Sequence, residues 1–315
     1  MNATLAEVGE FPIIDRITKG LVRGPGVSVG PGDDAAVVSV DGSLVVSTDV
    51  MNENVHFRMD WCSPSDVGRR CIAAGVGDIE AMGAIPTAVV VALSLPSITE
   101  VSWIDKFMEG VTSECEAANV CLVGGDLSSA SMISVAVTAM GETRGRSVIH
   151  RGGAQAGDLI AYKGRLGWAS AGLAVLSRGF RSPRAVVSAY QVPKVAYGAG
   201  IEAARNGASS LIDTSDGLVA DLGHIARRSS VIMDLDSKAL PIAEPLAAVA
   251  QATGKNPMEF LLAGGEDHAL VGTFSLGQVP QSWTVIGRVE PLTGRDPGVY
   301  LDGEQWVGER GWTHF

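Results

Sequence analysis

The sequence predicts a two-domain protein of mixed α and β structure, and three observations support this fold class. The chain has 315 residues, the usual length of about two domains, and 46% of them are hydrophobic, which is enough for sizeable cores. Runs rich in β-branched residues alternate with segments of helical periodicity. Near residues 144–158 three arginines precede paired glycines. This change predicts a boundary between a domain of residues 1–147 and a domain of residues 148–315.

Charge and composition argue against several classes of protein. The chain has 24 basic and 35 acidic residues, a net charge of −11, which disfavours non-specific binding to nucleic acid or anionic membranes. Residues 1–20 lack the order of a signal peptide, and the longest apolar run, residues 88–95, is far shorter than the ~20 residues that span a bilayer. We expect a cytoplasmic protein without nucleic-acid or membrane partners. The cysteines form no C-x-x-C pair and are expected to be reduced, buried thiols: Cys62, Cys71, Cys115 and Cys121.

The first elements are predicted to be a helix, a glycine-rich loop and a hairpin. Apolar spacing predicts a helix over residues 5–17, and glycines mark a loop over residues 24–32. Two β-branched runs, residues 35–40 and 44–50, are joined by Asp41-Gly42, a dipeptide typical of hairpin turns. This hairpin would bring the acids at 33 and 34 close to Asp49.

The rest of the first half alternates helices and strands. Ser63-Pro64-Ser65-Asp66 is typical of a helix start, and Gly83 is a plausible end. The apolar residues Trp103, Phe107, Val111 and Cys115 recur every four positions and predict a second helix with a core-facing stripe. Strands are predicted at residues 87–95, at 120–123, ending in Gly124-Gly125-Asp126, and at 133–139.

The second half also mixes both element types. Strands are predicted at residues 159–162, 211–212, 231–236, 268–274 and 283–289, and a hairpin at 300–306 turns at Asp302-Gly303. Helices are predicted at residues 168–177 and 218–228. Between them a second helical region extends up to Arg205 and is broken at Pro193. The segment from 211 onward therefore reads as strand, acidic turn and helix N-terminus, a geometry that directs backbone N–H groups toward an anion.

Acidic residues beside glycines recur along the chain. A single such acid is usually a turn residue or a helix cap. Repeated acids of this kind favour Mg²⁺, which prefers hard oxygen ligands and is commonly shared with phosphate oxygens. The sequence therefore predicts a site for metal-bound phosphates. The acids concerned are Asp33, Asp34, Asp49, Asp78, Asp126, Asp213, Asp216, Glu266 and Asp267.

Other catalytic signatures are missing from the sequence. It contains no G-x-x-x-x-G-K-[ST] loop and no H-E-x-x-H. Acids, glycines and a few arginines suit phosphoryl transfer, in which catalysis depends mainly on positioning and charge neutralisation.

Several short motifs follow one another in a characteristic order over nearly the whole chain. They occupy residues 32–36, 47–49, 55–57, 77–86, 122–126, 151–154, 212–218, 264–267 and 311–315. Together they resemble the thiamine-monophosphate kinase family. The resemblance implies the fold of the aminoimidazole ribonucleotide synthetase superfamily. This fold has an N-terminal mixed sheet that pairs across a homodimer and a C-terminal α/β sandwich that closes over the nucleotide. The implied reaction is direct in-line transfer from ATP to thiamine monophosphate, giving thiamine diphosphate and ADP, with several Mg²⁺ ions.

Matching the motifs residue by residue implies roles for individual side chains. The implied metal ligands are Asp34, Ser47, Thr48, Asp49, Asp78, Asp126, Asp213 and Asp216. Among these, Asp49, Asp126 and Asp216 would be catalytic. The implied nucleotide contacts are Gly125, Asp126, Arg151 and Ser215. The implied thiamine contacts are His56, Glu266 and Trp312. A cationic thiazolium gives Glu266 and the Trp312 ring an electrostatic reason to face it.

Alternatives remain open for single residues. Asp213 and Asp216 also suit helix N-caps. His56 also suits an ordinary structural histidine, Arg151 a solvated linker charge, and Trp312 a core aromatic residue.

Alternatives also remain for the whole chain. It departs from the family's usual pattern after Asp49, after Asp126 and at His268-Ala269. Another superfamily enzyme, such as one resembling aminoimidazole ribonucleotide synthetase, or a catalytically weak nucleotide-binding protein would also fit these motifs.

Overall fold

Two groups of residues pack separately in the computed structural model, which describes residues 3–21, 24–32, 34–309 and 311–312. The N-terminal unit contains residues up to Ile79 together with Ile85–Arg146. The C-terminal unit contains Glu80–Ala84 and the residues from Ser147 onward. The domain division at residues 147 and 148 stays a prediction. Asp33 and residues 313–315 lie outside the described residues.

Helices and a four-stranded sheet form the N-terminal unit. In chain order the elements are α1 (Leu5–Val8), α2 (Glu10–Thr18), β1 (Val27–Val29), β2 (Val37–Val38), β3 (Leu44–Asn52), α3 (Pro64–Ala81), β4 (Ile85–Leu95), α4 (Val101–Ala118), β5 (Cys121–Ser129) and β6 (Ser134–Glu142). The strand order is β3-β6-β4-β5, with β5 parallel to β4 and the other neighbours antiparallel. Val89, Val91 and Leu93 alternate with less buried residues. The sheet therefore has one covered face.

Glycines let α3 approach its neighbours closely. A Cβ atom on Gly68 would lie 2.2 Å from the carbonyl oxygen of Phe107, and one on Gly110 would lie 2.1 Å from that of Ser65. These contacts join α3 to α4. A Cβ atom on Gly75 would lie 3.1 Å from Val137 Cγ1. Helix α3 therefore covers the sheet face that carries Val137.

The hairpin predicted at Asp41-Gly42 is wrong. Strand β2 pairs with β1, whereas β3 pairs with β6 over nine residue pairs, from Leu44 opposite Glu142 to Asn52 opposite Ser134. The turn packs against the end of β6, where the Arg144 N–H donates to the Asp41 carbonyl at 2.8 Å. Strand β3 therefore forms its nine residue pairs with β6, which has buried residues, and not the short hairpin pairing with residues 35–40. The pairing that was to bring Asp34 to Asp49 is therefore absent.

The strand predicted to end before Gly124 continues through the acidic motif. Strand β5 extends to Ser129, with Gly125 opposite Val91 and Asp126 opposite Ala92. A Cβ atom on Gly125 would lie 2.2 Å from the Val91 carbonyl oxygen, so glycine lets the strands stay paired. Asp126 is therefore a strand residue rather than a turn residue.

A seven-stranded sheet with helices forms the described part of the C-terminal unit. Its elements are β7 (Leu159–Lys163), α5 (Trp168–Leu176), α6 (Arg184–Gln191), α7 (Ala199–Arg205), β8 (Ser210–Asp213), α8 (Leu218–Ser229), β9 (Ile232–Leu235), α9 (Glu244–Thr253), α10 (Pro257–Ala263), β10 (Leu270–Phe274), β11 (Thr284–Glu290), β12 (Gly298–Leu301) and β13 (Glu304–Gln305). The strand order is β13-β12-β9-β11-β7-β10-β8. One buried cluster packs α7 against this sheet through Ala199, Ala203, Ala161, Leu211, Leu270 and Phe274.

Most predicted elements of this unit are confirmed. Strand β8, the acidic turn and helix α8 follow one another as expected, and α6 and α7 flank Pro193. Asp302 and Gly303 both have positive φ angles, +52° and +83°, as a two-residue hairpin turn requires. Helices α9 and α10 were not predicted. Within the described ranges, no helix has both the length and the apolarity needed to cross a bilayer.

The contact between α3 and α4 gives a test of the first unit. Helix propensity alone would make Gly110→Ala about 1 kcal/mol more stable, but the added methyl group meets the Ser65 carbonyl. We expect the free energy of unfolding, measured in urea, to fall by about 1–3 kcal/mol. The control Glu109→Ala changes an exposed neighbour, and its free energy of unfolding should stay within about 0.5 kcal/mol of the wild-type value. Greater stability of Gly110→Ala would contradict this packing.

Candidate active site

Ser47, Asp49 and Asp78 lie on the covered side of the N-terminal sheet. Ser47 pairs with Ala139 and Asp49 with Val137, and both partners face α3. Asp78 lies on α3, and Ser47 Oγ donates to its Oδ2 at 2.6 Å. Asp49 Oδ1 accepts the Val50 N–H at 2.8 Å. Strand alternation and one helix therefore bring a hydroxyl and two carboxylates to one side of the sheet.

Thr48 and Asp126 lie on the opposite face. Asp126 pairs with Ala92, Ala92 with Ala136, and Ala136 with Val50. Directly paired residues point to the same face, so Asp126 shares a face with Thr48 and Val50 rather than with Asp49. Strands are about 4.8 Å apart, so Asp126 lies roughly 14 Å from β3. The structure does not bring Asp126 together with Asp49.

Two further predicted residues of this unit lie in loops. Asp34 is exposed in the loop before β2. His56 is half-buried in the turn after β3, where its Nδ1 accepts the Asn52 N–H at 3.0 Å. This hydrogen bond fixes the orientation of the His56 ring at the end of β3.

Two loops of the C-terminal unit are joined by main-chain hydrogen bonds. The Glu266 N–H donates to the Ser215 carbonyl at 2.8 Å, and the Thr214 N–H donates to the Ala269 carbonyl at 2.8 Å. A Cβ atom on Gly265 would lie 2.5 Å from the Ser215 carbonyl oxygen, so only glycine fits there. The acidic turn after β8 and the Gly-Gly-Glu-Asp loop before β10 therefore form one substructure.

Trp312 and Arg151 lie near this turn. The Trp312 N–H donates to the Asp216 carbonyl at 3.0 Å, and 54% of the residue is exposed. Trp312 is therefore not a core aromatic residue. Arg151 is exposed and close enough to His224 for its charge to act on that ring. Burial lowers the pKa of His224, and Arg227 and Arg151 lower it further.

Asp221 is a site residue that sequence reasoning missed. It lies in the first turn of α8, is 2% exposed, and its Oδ2 accepts the N–H groups of Gly217 at 3.0 Å and Asp216 at 3.2 Å. Burial raises the pKa of Asp221 to about 8, and the charges of Asp213 and Asp216 contribute to the rise. The available signal was an acid in the first turn of the helix after the acidic turn.

Crowded oxygens of the C-terminal unit suit a hard cation. Ligand atoms of Asp216, Asp221 and His224 lie within 4.8 Å of one another. The charges of Asp213 and Asp216, which help to raise the pKa of Asp221, would be neutralised by a divalent cation. The Asp216 carboxylate therefore fits Mg²⁺, whereas the His224 nitrogen is a softer ligand than Mg²⁺ prefers.

His268 links two of the predicted residues. Its Nδ1 lies 3.3 Å from Asp213 Oδ2, and its Nε2 lies 3.9 Å from Glu266 Oε2. Burial acts to lower the pKa of His268, but hydrogen bonds and charges of these two carboxylates raise it well above its ordinary value. A cationic His268 would partly neutralise Asp213 and Glu266. The sequence showed this position only as a departure from the family pattern.

The neighbouring acids Glu266 and Asp267 have different surroundings. The Glu266 side chain is 39% exposed. Asp267 is buried and accepts the N–H groups of Gly167 and Ala169 at the start of α5. Burial raises the pKa of Asp267 to about 7. Glu266 is therefore partly open to solvent, whereas Asp267 fixes a helix start.

Comparisons with known proteins give one consistent result. Residues 32–143 match the family described as AIR synthase related protein, N-terminal domain. A thiamine-monophosphate kinase of Mycobacterium tuberculosis is 45% identical over all of this chain and 94% of its own length. The structure of AaThiL complexed with AMPPCP and TMP is 32% identical over both full chains, with a TM-score of 0.80. A thiamine-monophosphate kinase structure from Stenotrophomonas maltophilia is 32% identical over 95% of this chain and 98% of its own, with a TM-score of 0.82. The α/β fold expected from the sequence is confirmed.

The buried Asp221 carboxyl gives a pH-dependent test in metal-free protein. Its pKa is about 8 in the folded state against an ordinary 3.8, so between these values the folded state binds one more proton than the unfolded state. This contribution to stability is complete below about pH 4 and is lost as the pH rises toward 8. In Asp221→Asn the amide oxygen can accept both N–H groups without titrating.

We therefore expect the free energy of unfolding of the wild type to fall relative to Asp221→Asn as the pH rises. The expected slope is at most about 1.4 kcal/mol per pH unit. Urea unfolding in a chelator, at several pH values, measures it. Asp221→Ala, which loses both hydrogen bonds, should be less stable than Asp221→Asn throughout. Parallel curves for the wild type and Asp221→Asn would show that the carboxyl is charged at neutral pH.

Proposed function

The chain belongs to the thiamine-monophosphate kinase family, and we propose that it transfers the γ-phosphate of ATP to thiamine monophosphate, giving thiamine diphosphate and ADP. The observation that carries this function is the full-length likeness to a relative solved with AMPPCP, an analogue of ATP, and TMP. The free cysteines, Cys62, Cys71, Cys115 and Cys121, suit the reducing environment of the cytoplasm, which we propose as its location.

The acceptor makes positioning more important than proton transfer. A phosphate monoester has a second pKa of about 6, so at neutral pH it is largely a dianion and needs no general base. Its approach to ATP is opposed by charge repulsion. Mg²⁺, when bound, would supply the neutralising charge and align the two phosphates. The protein's contribution is to hold oxygen ligands in place.

Each unit offers its own set of oxygen ligands. In the N-terminal unit the Ser47 hydroxyl orients Asp78 on the same side of the sheet as Asp49. Thr48 and Asp126 lie on the opposite face and would belong to a separate set of ligands. In the C-terminal unit, Asp221 fixes the turn that presents the Asp216 carboxylate. The proposed metal ligands remain Asp34, Ser47, Thr48, Asp49, Asp78, Asp126, Asp213 and Asp216.

Exposed groups would recognise the substrates. Glu266, partly exposed, would attract the thiazolium cation, and the exposed Trp312 ring offers it a cation–π contact. The His56 ring would contact the thiamine part. The proposed nucleotide contacts are Gly125, Asp126, Arg151 and Ser215.

We propose a homodimer that covers the open face of the N-terminal sheet. Strand β3 exposes Leu44, Val46 and Val50 by 50%, 54% and 45% on this face. Such a row of exposed apolar side chains on an edge strand marks an association surface. Asp126 lies on the same face, so a second copy seated there would meet it.

The reaction is tested by ADP release from purified protein with ATP and Mg²⁺. Thiamine monophosphate is compared with thiamine and with no acceptor. We expect release that requires the monophosphate and yields thiamine diphosphate. Absence of ADP release with thiamine monophosphate, with thiamine and without acceptor would argue against the kinase activity. Formylglycinamidine ribonucleotide would then test the related synthetase activity.

The metal ligands are tested by Asp49→Asn and Asp126→Asn. Each should lower turnover by orders of magnitude, because each removes a carboxylate from one of the two proposed sets of Mg²⁺ ligands in the N-terminal unit. Thermal stability should change little, because neither carboxylate is buried. Glu304→Gln, an exposed residue of β13, should leave turnover unchanged. Near-normal turnover of Asp49→Asn or Asp126→Asn would remove that residue from the ligand set.

The dimer is tested by Val46→Glu, which places a charge on the exposed β3 face. Light scattering should give twice the chain mass for the wild type and the single mass for the variant. The control Val307→Glu changes another exposed valine, 88% exposed in the C-terminal unit, and should stay dimeric. A monomeric wild type would contradict the dimer.

A further inference from the structure

A cleft of the C-terminal unit collects three basic side chains outside the residues assigned above. It has a volume of about 310 Å³ and is lined by three segments: the end of β7 with the loop after it, the residues before α7, and the start of β11. We call it the basic cleft. Its lining residues used below are Lys163, Arg165, Lys194, Tyr162, Ser282 and Thr284.

The charge of this cleft is unusual for the chain. The protein carries a net charge of −11, yet Lys163, Arg165 and Lys194 meet around one space. The part of its lining that the structure describes contains no carboxylate, and none of these three cations forms an ion pair with a described residue. Like charges gathered in this way repel one another, and an anion placed among them would remove the repulsion.

Two of the cations are held in place by contacts that leave their charge uncompensated. Lys163 Nζ donates to the Ser282 carbonyl at 2.9 Å. The Arg165 guanidinium stacks on the Trp168 ring, 4.4 Å from its centroid. A stacked guanidinium keeps the donors on its edge available to a planar or tetrahedral oxyanion. Lys194 is exposed at the rim.

The acid Glu202 is hydrogen-bonded to Ser282, which lines the cleft. Glu202 accepts hydrogen bonds from Ser282 Oγ at 2.9 Å and from Trp283 Nε1 at 3.0 Å. These donors direct the Glu202 oxygens to the Ser282 hydroxyl and the indole ring. The hydroxyl groups of Tyr162 and Thr284 add neutral polar atoms to the lining.

We propose that the basic cleft binds the diphosphate group of a phosphorylated ligand. A terminal phosphate carries about −1.5 to −2 at neutral pH and an inner phosphate about −1, so three cations match a diphosphate group better than they match a carboxylate. The volume is at the lower end of ligand pockets, which suits such a group and not an extended molecule. The position is also suitable, because Lys163 and Asp213 both pair with Leu270 and are therefore about 10 Å apart across two strand spacings.

The test measures binding of inorganic diphosphate by calorimetry in the presence of a chelator. Without metal, the acidic groups proposed above repel diphosphate, so this condition isolates the basic cleft from the kinase activity. We expect saturable binding that weakens with salt. ADP in a second arm distinguishes the source: equal affinity indicates that the diphosphate group alone is recognised, and tighter binding of ADP indicates a nucleotide.

Matched variants connect this binding to the cleft. Lys163→Gln with Arg165→Gln and Lys194→Gln should weaken diphosphate binding by at least about tenfold. The control, Lys238→Gln with Lys255→Gln and Arg288→Gln, removes the same charge elsewhere in the unit and should bind as the wild type does. Lys194→Gln alone changes an exposed side chain and should also weaken binding, which keeps the test valid if the triple variant does not fold. Absence of binding by the wild type, unchanged binding by both cleft variants, or equal loss in the control would overturn the proposal. Turnover of thiamine monophosphate is measured in a separate assay. Loss of diphosphate binding and loss of kinase activity can therefore be distinguished.

Discussion

Buried carboxylates of the C-terminal unit are held by main-chain N–H groups, and the conformation of its loops depends on these hydrogen bonds. The pairs are Asp221 with the N–H groups of Asp216 and Gly217, Asp267 with those of Gly167 and Ala169, and Glu80 with those of Gly198 and Gly200. Burying an ion costs several kcal/mol, and a hydrogen bond to a charged group offsets only about 1.5–3 kcal/mol of this cost. Burial therefore raises the pKa of each of these three carboxyls, and the main-chain N–H groups lower it only in part. The acids therefore stay in the core only while these loops keep their shape.

These hydrogen bonds divide the acids into two kinds. Asp221 and Asp267 are buried and fix the backbone, whereas Asp216 and Glu266, each close in sequence to one of them, are more exposed. Asp221 therefore fixes the backbone that carries Asp216, and Asp267 anchors the loop that carries Glu266 to the start of α5. In the N-terminal unit the donor is a side chain, because the Ser47 hydroxyl donates a hydrogen bond to Asp78 and orients its carboxylate. A motif of several acids thus contains both ligand candidates and the groups that position them.

The electrostatics of the chain suggest two different ways of binding phosphate. Crowded acids can bind anionic substrates only through cations, which gives such sites an absolute dependence on metal. The cleft around Lys163, Arg165 and Lys194 needs no cation. In an acidic protein, a small basic cleft focuses its field locally and does not attract nucleic acid in general.

The sequence by itself determined the local elements and the order of the motifs. The helix at residues 168–177, the hairpin at Asp302-Gly303 and the succession of strand, acidic turn and helix around Asp213 follow from side-chain periodicity and turn chemistry. These are properties of a few neighbouring residues. Most of the candidate residues could be named from such motifs, and the motif order alone pointed to the family.

The tertiary structure alone decided which strands pair, which face each acid occupies and which buried groups hold the acids. Strand β3 pairs with β6 rather than β2, and Asp126 lies on the face opposite Asp49. Asp221 and His268 have their importance only through contacts with the turn after β8. Strand pairing and burial depend on free energy summed over residues distant in sequence, whereas periodicity is fixed by the local geometry of the backbone.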